Sequence, residues 1–97
     1  MKTLESVKQI LRENLEFFSN RYQVSSIGIF GSYVREEQKK ESDIDILVEF
    51  NKPISLLKLV NLENFLTDFI GIKVDIIPKE DIRPELREAI LSEVVYV

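Results

Sequence analysis

Residues 27–50, IGIFGSYVREEQKKESDIDILVEF, contain two strand-like runs that carry residues strands usually exclude. Asp43 and Asp45 alternate with isoleucines at the start of an apolar run, although Asp is depleted in strands. Successive side chains of a strand point to opposite faces, so the two carboxylates, two residues apart, are expected on one face. Two like charges held this close repel each other unless a cation lies between them. The pattern therefore predicts a divalent-metal site on one face of a sheet.

A Gly-Ser pair follows the first of these two runs. Residues 27–30 are predicted to form a strand that stops at Gly31 and Ser32 and leads into a short polar helix. The free N–H groups of a helix start, together with a serine hydroxyl, suit a bound phosphate. Ten residues separate Ser32 from Asp43, so the two strands are expected to run antiparallel, joined by the short helix and a turn. A phosphate cradle would then lie beside the metal site, as transfer chemistry on a nucleoside triphosphate requires.

Two further charged residues are candidates for the same site. Asp75 is a lone acid within an apolar strand predicted over 73–77 and ended by Pro78. Arg35 lies about one turn after Ser32, where its guanidinium would face a bound triphosphate. Each has an ordinary alternative, because an acid is common on an edge strand and a mixed charge run is typical of a solvated helix face.

The specificity of the signal comes from the combination of motifs. A DxD triplet alone is weak evidence, but the Gly-Ser pair and a third strand Asp make it much stronger. The chain has neither a GxxxxGK[ST] run nor a GxGxxG run, which argues against a P-loop kinase or ATPase and against a dinucleotide-binding fold.

Length and composition narrow the possible classes of protein. The 97 residues predict one domain, 1–97, and the net charge of −4 disfavours independent binding to nucleic acid. The absence of Cys and His excludes disulfides, thiol nucleophiles, imidazole bases and the usual zinc sites, which leaves carboxylates to perform the chemistry. No run approaches the ~18 apolar residues of a membrane span, so we expect a soluble protein of the cytoplasm with no membrane partner.

The remaining segments predict an α/β (α+β) fold, a small mixed sheet with helices packed on it. Apolar spacing predicts a first helix from Thr3 to near Asn20 and a second over 54–70, capped by Ser55 and stopped by Gly71. The other predicted elements are a strand over 24–30, a last helix from Pro84 with Leu86, Ala89 and Ile90 facing inward, and a short apolar tail over 94–97.

Gly31-Ser32, ten residues, Asp43-x-Asp45 and a later Asp75 in an apolar strand resemble the minimal nucleotidyltransferases of the polymerase-beta-like superfamily, over nearly the whole chain. The resemblance implies that Asp43 and Asp45 hold two Mg²⁺ ions. It implies that Asp75 completes the metal site and helps to activate the attacking hydroxyl. It also implies that Gly31 and Ser32 bind the triphosphate of ATP.

The same resemblance implies a partner. Small stand-alone members of this family are typically encoded beside a HEPN-domain toxin, a ribonuclease, and act as antitoxins by attaching AMP to one of its tyrosines; the tail 82–97 is similar to theirs. One departure is Glu36, where many members have Gly, and an acid near the phosphates is expected to weaken nucleotide binding.

Three hypotheses for function follow. The first is an enzyme that transfers AMP from ATP to a protein partner. The second is a binding module that keeps the fold and neutralises its partner by contact alone. The third is a transferase acting on a small molecule or a nucleic-acid end, for which so short a chain leaves little room.

Overall fold

One four-stranded sheet with helices on both faces organises the chain, and the computed structural model describes residues 3–39 and 42–97 of it. Its helices and strands are, in order, α1 (Leu4–Glu13), α2 (Leu15–Tyr22), β1 (Val24–Phe30), β2 (Ile44–Phe50), α3 (Leu56–Ile70), β3 (Val74–Pro78), α4 (Pro84–Glu93) and β4 (Val95–Tyr96). The strand order is β3-β2-β1-β4, with β1 antiparallel to β2 and β4, and β2 parallel to β3. The predicted small mixed sheet with packed helices is confirmed.

The alternation of side chains along β2 decides which face of the sheet carries which residues. Ile44, Ile46 and Val48 are fully buried in the larger core, which α1, α2 and α3 cover. Leu47 points to the other face, where a smaller core forms with Phe30 and the C-terminal segment. Burying each such side chain is worth about 1.5–3 kcal/mol, so the register of β2 is strongly fixed. Asp45 is therefore held on the face of the smaller core.

Helix ends follow the caps expected from the sequence. Thr3 begins α1 with a capping box shared with Ser6, and the Ser55 side chain accepts the N–H of Lys58 at the start of α3. Gly71 ends α3 in the left-handed conformation, with φ of 85°. In the described part of the chain, no helix has both the length and the apolar character to cross a bilayer.

The single first helix predicted to end near Asn20 is wrong, because the helix breaks at Asn14. The Asn14 side chain donates Nδ2 to the carbonyl of Ile10 at 2.8 Å, and its backbone N–H bonds to Leu11 instead of Ile10. This local side-chain bond competes with the helical pattern, as Asn often does inside helices. The second piece, α2, continues to Tyr22 and buries Phe18.

The short helix predicted after Gly31 and Ser32 is present as a 3-10 helix of one turn, Gly31–Tyr33, and not as an α-helix. In the part of the connector that the structure describes, the N–H of Glu37 then bonds back to the Ser32 carbonyl at 2.9 Å. Glu36 adopts a left-handed backbone, with φ of 58°, which ends any helical continuation. A single turn has no substantial macrodipole, so the expected anion affinity of a helix start does not apply here.

At the C-terminal end, the predicted inward face of α4 is only partly correct. Ile90 is buried, but the side chain of Leu86 is 46% exposed and Ala89 is exposed as well. The helix contacts the sheet through its C-terminal half, because the smaller core beneath it consists of few residues. Those that pack there are Phe30, Leu47, Ile82 and Ile90, with Ile77, Leu91 and Val94 at the margin.

The apolar tail forms an edge strand, β4, which pairs with β1 through Gly28 opposite Tyr96 and Ile29 opposite Val95. Gly28 makes room for this tail, because a Cβ there would lie 2.6 Å from Cγ2 of Val94. The pairing fixes the C-terminal end of α4 beside the end of β1.

Because Glu36 has a left-handed backbone, Glu36→Gly is expected to raise the free energy of unfolding by about 0.5–1 kcal/mol. Glycine avoids the strain that a Cβ meets at φ of 58°, although it also gains freedom in the unfolded chain. Urea denaturation would measure the change. Gln23→Gly, at φ of 61°, should behave alike, and Glu16→Gly inside α2 should instead destabilise. A loss of stability in Glu36→Gly would contradict this account.

Candidate active site

The antiparallel pairing of β1 and β2 brings Gly31 against Asp45. Phe30 is the Cα partner of Asp45, so Gly31, the next residue, lies beside the Asp45 side chain. Gly31 has φ of 82°, and a Cβ placed on it would overlap Oδ2 of Asp45 and lie 3.1 Å from its Cγ. Both the conformation and the close approach require glycine at this position. The expected neighbourhood of the Gly-Ser pair and the DxD triplet is therefore present.

The parallel pairing of β2 and β3 brings in the third acid. Asp45 and Asp75 are Cα partners in the register of the two strands, and each is the second residue of its strand. Asp43 comes one residue before β2, and its Oδ2 lies 3.9 Å from Nζ of Lys73, one residue before β3. Residues 43, 45 and 75 thus gather at one end of the sheet, beside the point where β1 ends.

Burial and charge repulsion both act on the acidity of this cluster. Burial raises the pKa of Asp45 above its ordinary value, and the carboxylates of Asp75 and Asp43 raise it further. Burial likewise raises the pKa of Asp75, with the Asp43 carboxylate as the next cause. Arg35 acts in the opposite direction and lowers the pKa of Asp45. Carboxylates that resist ionisation because they are partly buried and lie beside other carboxylates are the kind of site that a bound cation stabilises.

The donor set suits a hard divalent cation, since Mg²⁺ is held by carboxylate, phosphate and water oxygens. Within residues 3–39 and 42–97, however, no three acidic side chains converge closely enough to surround a metal ion. Register places the carboxylates of Asp43, Asp45 and Asp75 as neighbours on one face, but not around a common point. A nucleotide's phosphate oxygens supply the missing ligands in sites of this chemistry, so metal and nucleotide are expected to bind together.

The 3-10 turn between β1 and the connector orients the predicted phosphate-binding residues. Its fold is held by the Gly31 carbonyl, which accepts the N–H groups of Val34 at 3.0 Å and of Arg35 at 3.2 Å. Tyr33 anchors the turn in the larger core, where burial raises the pKa of its hydroxyl. Ser32, half-buried, follows Gly31 directly at the site. The turn that presents Ser32 and Arg35 is therefore held in place by backbone hydrogen bonds and by the buried Tyr33.

Glu93, the last residue of α4, is a member of the site that the sequence patterns missed. Its Oε2 accepts the backbone N–H of Gly31 at 2.9 Å, and its Oε1 accepts Nη1 of Arg35 at 2.7 Å. Arg35 also donates Nε to Glu37 at 2.8 Å. Glu93 lies 62 residues after Gly31, so no local pattern links them. The one available signal is its place three residues after the buried Ile90, an acid on the apolar face of α4.

A separate surface cavity lies far from these acids. It has a volume of about 660 Å³ and is formed where β2 and β3 end, near Phe50 and Pro78, with Lys52, Lys79 and Arg87 among its lining residues. The carboxylates stand at the opposite ends of both strands, and β2 is seven residues, about 20 Å, long. The cavity therefore does not adjoin the carboxylate cluster.

The tight contact at Gly31 makes Gly31→Ala an informative variant. We expect it to lower the free energy of unfolding by more than 2 kcal/mol, because the new Cβ is strained at φ of 82° and overlaps the Asp45 carboxylate. Urea denaturation would measure this loss. Gly71→Ala is the matched control, since Gly71 has φ of 85° on the exposed end of α3. If both variants lost the same stability, the contact with Asp45 would carry no cost.

The raised pKa of Asp45 predicts that Asp45→Asn stabilises the metal-free protein at neutral pH, by about 1 kcal/mol or less because solvent screens a half-exposed group. That corresponds to a few degrees in melting temperature. The unfolded chain releases this proton first, so wild-type stability falls as pH rises from the ordinary value of 3.8 through the raised pKa.

Melting curves in a chelator, from acid to neutral pH, would test this linkage. The difference between Asp45→Asn and wild type should grow with pH and vanish in acid, where both side chains are neutral. Asp68→Asn, on the exposed face of α3, is the control for general charge. A clear fall in the melting temperature of Asp45→Asn would mean that this carboxylate is structural.

Comparison with known families accounts for the arrangement. A family model described as a nucleotidyltransferase domain matches residues 7–97. The chain belongs to this nucleotidyltransferase family. A Methanocaldococcus jannaschii protein named "putative protein adenylyltransferase" is 52% identical over 98 residues, covering 100% of both chains. Protein adenylyltransferase MntA of Thermococcus cleftensis is 43% identical over 97 residues, covering 100% of this chain and 98% of that one.

Solved structures agree on the fold. A protein described as a "putative minimal nucleotidyltransferase" superimposes with a TM-score of 0.79 at 32% identity, covering 97% of this chain and 95% of that one. A toxin-antitoxin structure with AMP-PNP gives a TM-score of 0.71 at 22% identity, covering 95% and 69%. A tri-AMPylated Shewanella oneidensis HEPN toxin in complex with its MNT antitoxin gives 0.69 at 16% identity, covering 93% and 70%. The polymerase-beta-like fold predicted from the sequence is confirmed.

Proposed function

We propose that this nucleotidyltransferase is a protein adenylyltransferase that transfers AMP from ATP to a tyrosine of a HEPN-family ribonuclease toxin, and so acts as its antitoxin. The observation that carries the proposal is the position of Asp45, which lies against Gly31 on one side and opposite Asp75 on the other. Transfer of this kind needs a phosphate-binding corner, here residues 31–35, next to a carboxylate cluster, and the contact between Gly31 and Asp45 joins the two. Such catalysis consists mainly of positioning and charge stabilisation.

In this proposal the corner binds the triphosphate. The Gly31 N–H and the Arg35 guanidinium donate to phosphate oxygens, because both already donate to a carboxylate in the resting chain. Ser32, next in the turn, adds its hydroxyl. These donors fix the β- and γ-phosphates, so that the α-phosphorus faces the carboxylates.

The carboxylates of Asp43, Asp45 and Asp75 would hold two Mg²⁺ ions. Ions bound there would lower the pKa of the incoming hydroxyl and neutralise the charge that develops on the leaving pyrophosphate. A bond forms between the tyrosine oxygen and the α-phosphorus, and the bond from that phosphorus to the bridging oxygen of the β-phosphate breaks. The tyrosine proton passes to Asp75.

Asp75 is the proton acceptor in this scheme because of its place in the sheet. The register of β2 and β3 places it opposite Asp45, beside the carboxylates that would hold the ions. The sequence contains no histidine, so a carboxylate is the available group for this step.

The proposed partner follows from the relatives. The Thermococcus cleftensis homologue is named as a protein adenylyltransferase, and the Shewanella oneidensis structure pairs an MNT antitoxin with an AMPylated HEPN toxin. The match to the adenylyltransferases extends over the whole of this chain, including the segment that carries Glu93. We propose the cytoplasm as the site of the reaction, since ATP is available there.

A second function, neutralisation of the toxin by contact alone, is favoured by one observation. Glu93 holds the two donors proposed for the triphosphate, and the acids do not converge on a point in the described residues. A chain in which that arrangement persisted would bind its partner without transferring AMP.

Intact-mass analysis would test the proposal directly. The purified chain is mixed with the HEPN-domain protein encoded beside it, ATP and Mg²⁺, and the toxin is expected to gain the mass of one or more AMP groups on a tyrosine while losing ribonuclease activity. The control is α,β-methylene ATP, in which the bond to be broken is replaced by a P–C bond. A toxin that is silenced but gains no mass with ATP would contradict AMP transfer.

A further inference from the structure

The carboxylate of Glu93 occupies a ready-made anion site. Its two oxygens accept from two different donors, the Gly31 backbone N–H at 2.9 Å and the Arg35 guanidinium at 2.7 Å. A backbone N–H paired with a guanidinium is a combination that binds phosphate as readily as carboxylate. Glu93 therefore takes the place that an anionic ligand would take at this corner.

These donors cannot serve two anions in the same way at once. Gly31 has a single N–H, and its bond to Glu93 must break before a phosphate oxygen can accept from it. Arg35 has further N–H groups, but Nε is engaged by Glu37 at 2.8 Å and Nη1 by Glu93. A negative ligand placed here would also meet the charge of Glu93 at close range.

The position of Glu93 allows it to leave without disturbing the fold. Its helix is anchored by Ile90 and by the pairing of β4 with β1, so the backbone of residue 93 stays near the corner. The side chain itself is 22% exposed and can rotate into solvent. Release therefore requires a change of side-chain torsions, not the loss of a packed element.

We propose that Glu93 is an internal competitor for the triphosphate, which holds the Gly31 N–H and Arg35 in the resting chain and must be displaced before the phosphates of a nucleotide bind. The inference rests on the proposed function only for the identity of the ligand that displaces Glu93. The competition itself does not depend on that function. A competitor of this kind reduces the apparent affinity by the fraction of chains in which the donors are free. It also keeps Arg35 oriented towards the corner between turnovers.

Binding of inorganic tripolyphosphate, measured by calorimetry without nucleotide, acceptor or metal, tests this competition. Glu93→Gln keeps the shape of the side chain but removes its charge, and we expect the Kd for tripolyphosphate to fall about tenfold. Glu88→Gln, an exposed residue on the same helix, removes an equal charge away from the corner and should leave the Kd within about twofold of wild type.

A second variant guards against misfolding of the first. Glu93→Asp keeps the charge but is one methylene shorter, so it cannot span both contacts, and its Kd should lie between those of wild type and Glu93→Gln. Melting curves identify any variant that fails to fold. An unchanged or higher Kd in folded Glu93→Gln, a fall of equal size in Glu88→Gln, or no tripolyphosphate binding by any variant would overturn the inference.

The same samples separate this inference from the proposed function. If Glu93→Gln binds tripolyphosphate more tightly while wild type modifies no toxin, the competition stands and the transferase function fails. If wild type transfers AMP and Glu93→Gln gains no affinity, the function stands and the competition is wrong.

Discussion

Replacing Asp45 with asparagine is expected to lower the rate of AMP transfer by about 10³-fold or more. Asp45 is the residue that contacts both halves of the site, since it lies against Gly31 and opposite Asp75. Loss of its charge would remove a ligand from the proposed metal site, and charge stabilisation by such ions is worth several kcal/mol at the transition state. Asp43→Asn should have an effect of the same order.

Initial rates of AMP incorporation into the toxin would measure this effect. Asp68→Asn is the matched control, because it removes one carboxylate from an exposed position on α3. Melting curves of the same samples should show that Asp45→Asn is folded. Transfer within tenfold of wild type by the folded variant would exclude a catalytic role for this acid.

The second large effect concerns Asp75 and distinguishes an enzyme from a contact inhibitor. Asp75→Asn is expected to reduce transfer by about 10²–10⁴-fold, as is common when a proton-accepting carboxylate is lost. Nucleotide binding should change far less, because Gly31, Arg35 and two carboxylates remain. Complex formation with the toxin should persist while neutralisation in the cell fails.

Toxin silencing in cells that co-express each variant would report the outcome, with Asp81→Asn as the control on the exposed turn after β3. If Asp75→Asn still silences its toxin at wild-type strength and leaves it unmodified, the binding-module hypothesis replaces the enzyme hypothesis.

The sequence predicts the sheet well because its signals are local. Strand β1 begins and ends at the predicted residues, and β2 and β3 differ from the prediction by one residue at their ends. Turn residues and apolar runs fix these bounds. The antiparallel pairing that joins Gly31 to Asp45 also follows from the ten-residue separation of the two motifs.

Contacts between residues that are far apart in the sequence cannot be predicted from such local signals. The bond from Glu93 to Gly31 joins residues that are 62 positions apart, and only the packing of α4 and β4 brings them together. The connector between β1 and β2 shows a second limit, which is that local propensity can be overridden. Its polar residues have helical propensity, but the left-handed backbone at Glu36 ends the single turn. Propensity is overridden there by the path that the chain must follow between two strands.

The backbone conformation at position 36 gives a physical meaning to the presence of Glu there. The resemblance indicates that many family members have Gly at this position, and here the backbone has φ of 58°, which favours glycine. The cost of Glu36 is therefore expected to be conformational first. Whether its charge also weakens nucleotide binding stays a prediction, which ATP titration of Glu36→Gly and Glu36→Gln would resolve.

Isotopic labelling tests most directly whether the chain transfers AMP, and with it the α-phosphorus of ATP. The chain and its toxin are incubated with Mg²⁺ and ATP labelled at either the α- or the γ-phosphorus, and the toxin is then separated and counted. We predict that label from the α position is retained on the toxin and that label from the γ position leaves with pyrophosphate. Retention of label from the γ position alone would make the protein a kinase and contradict the account.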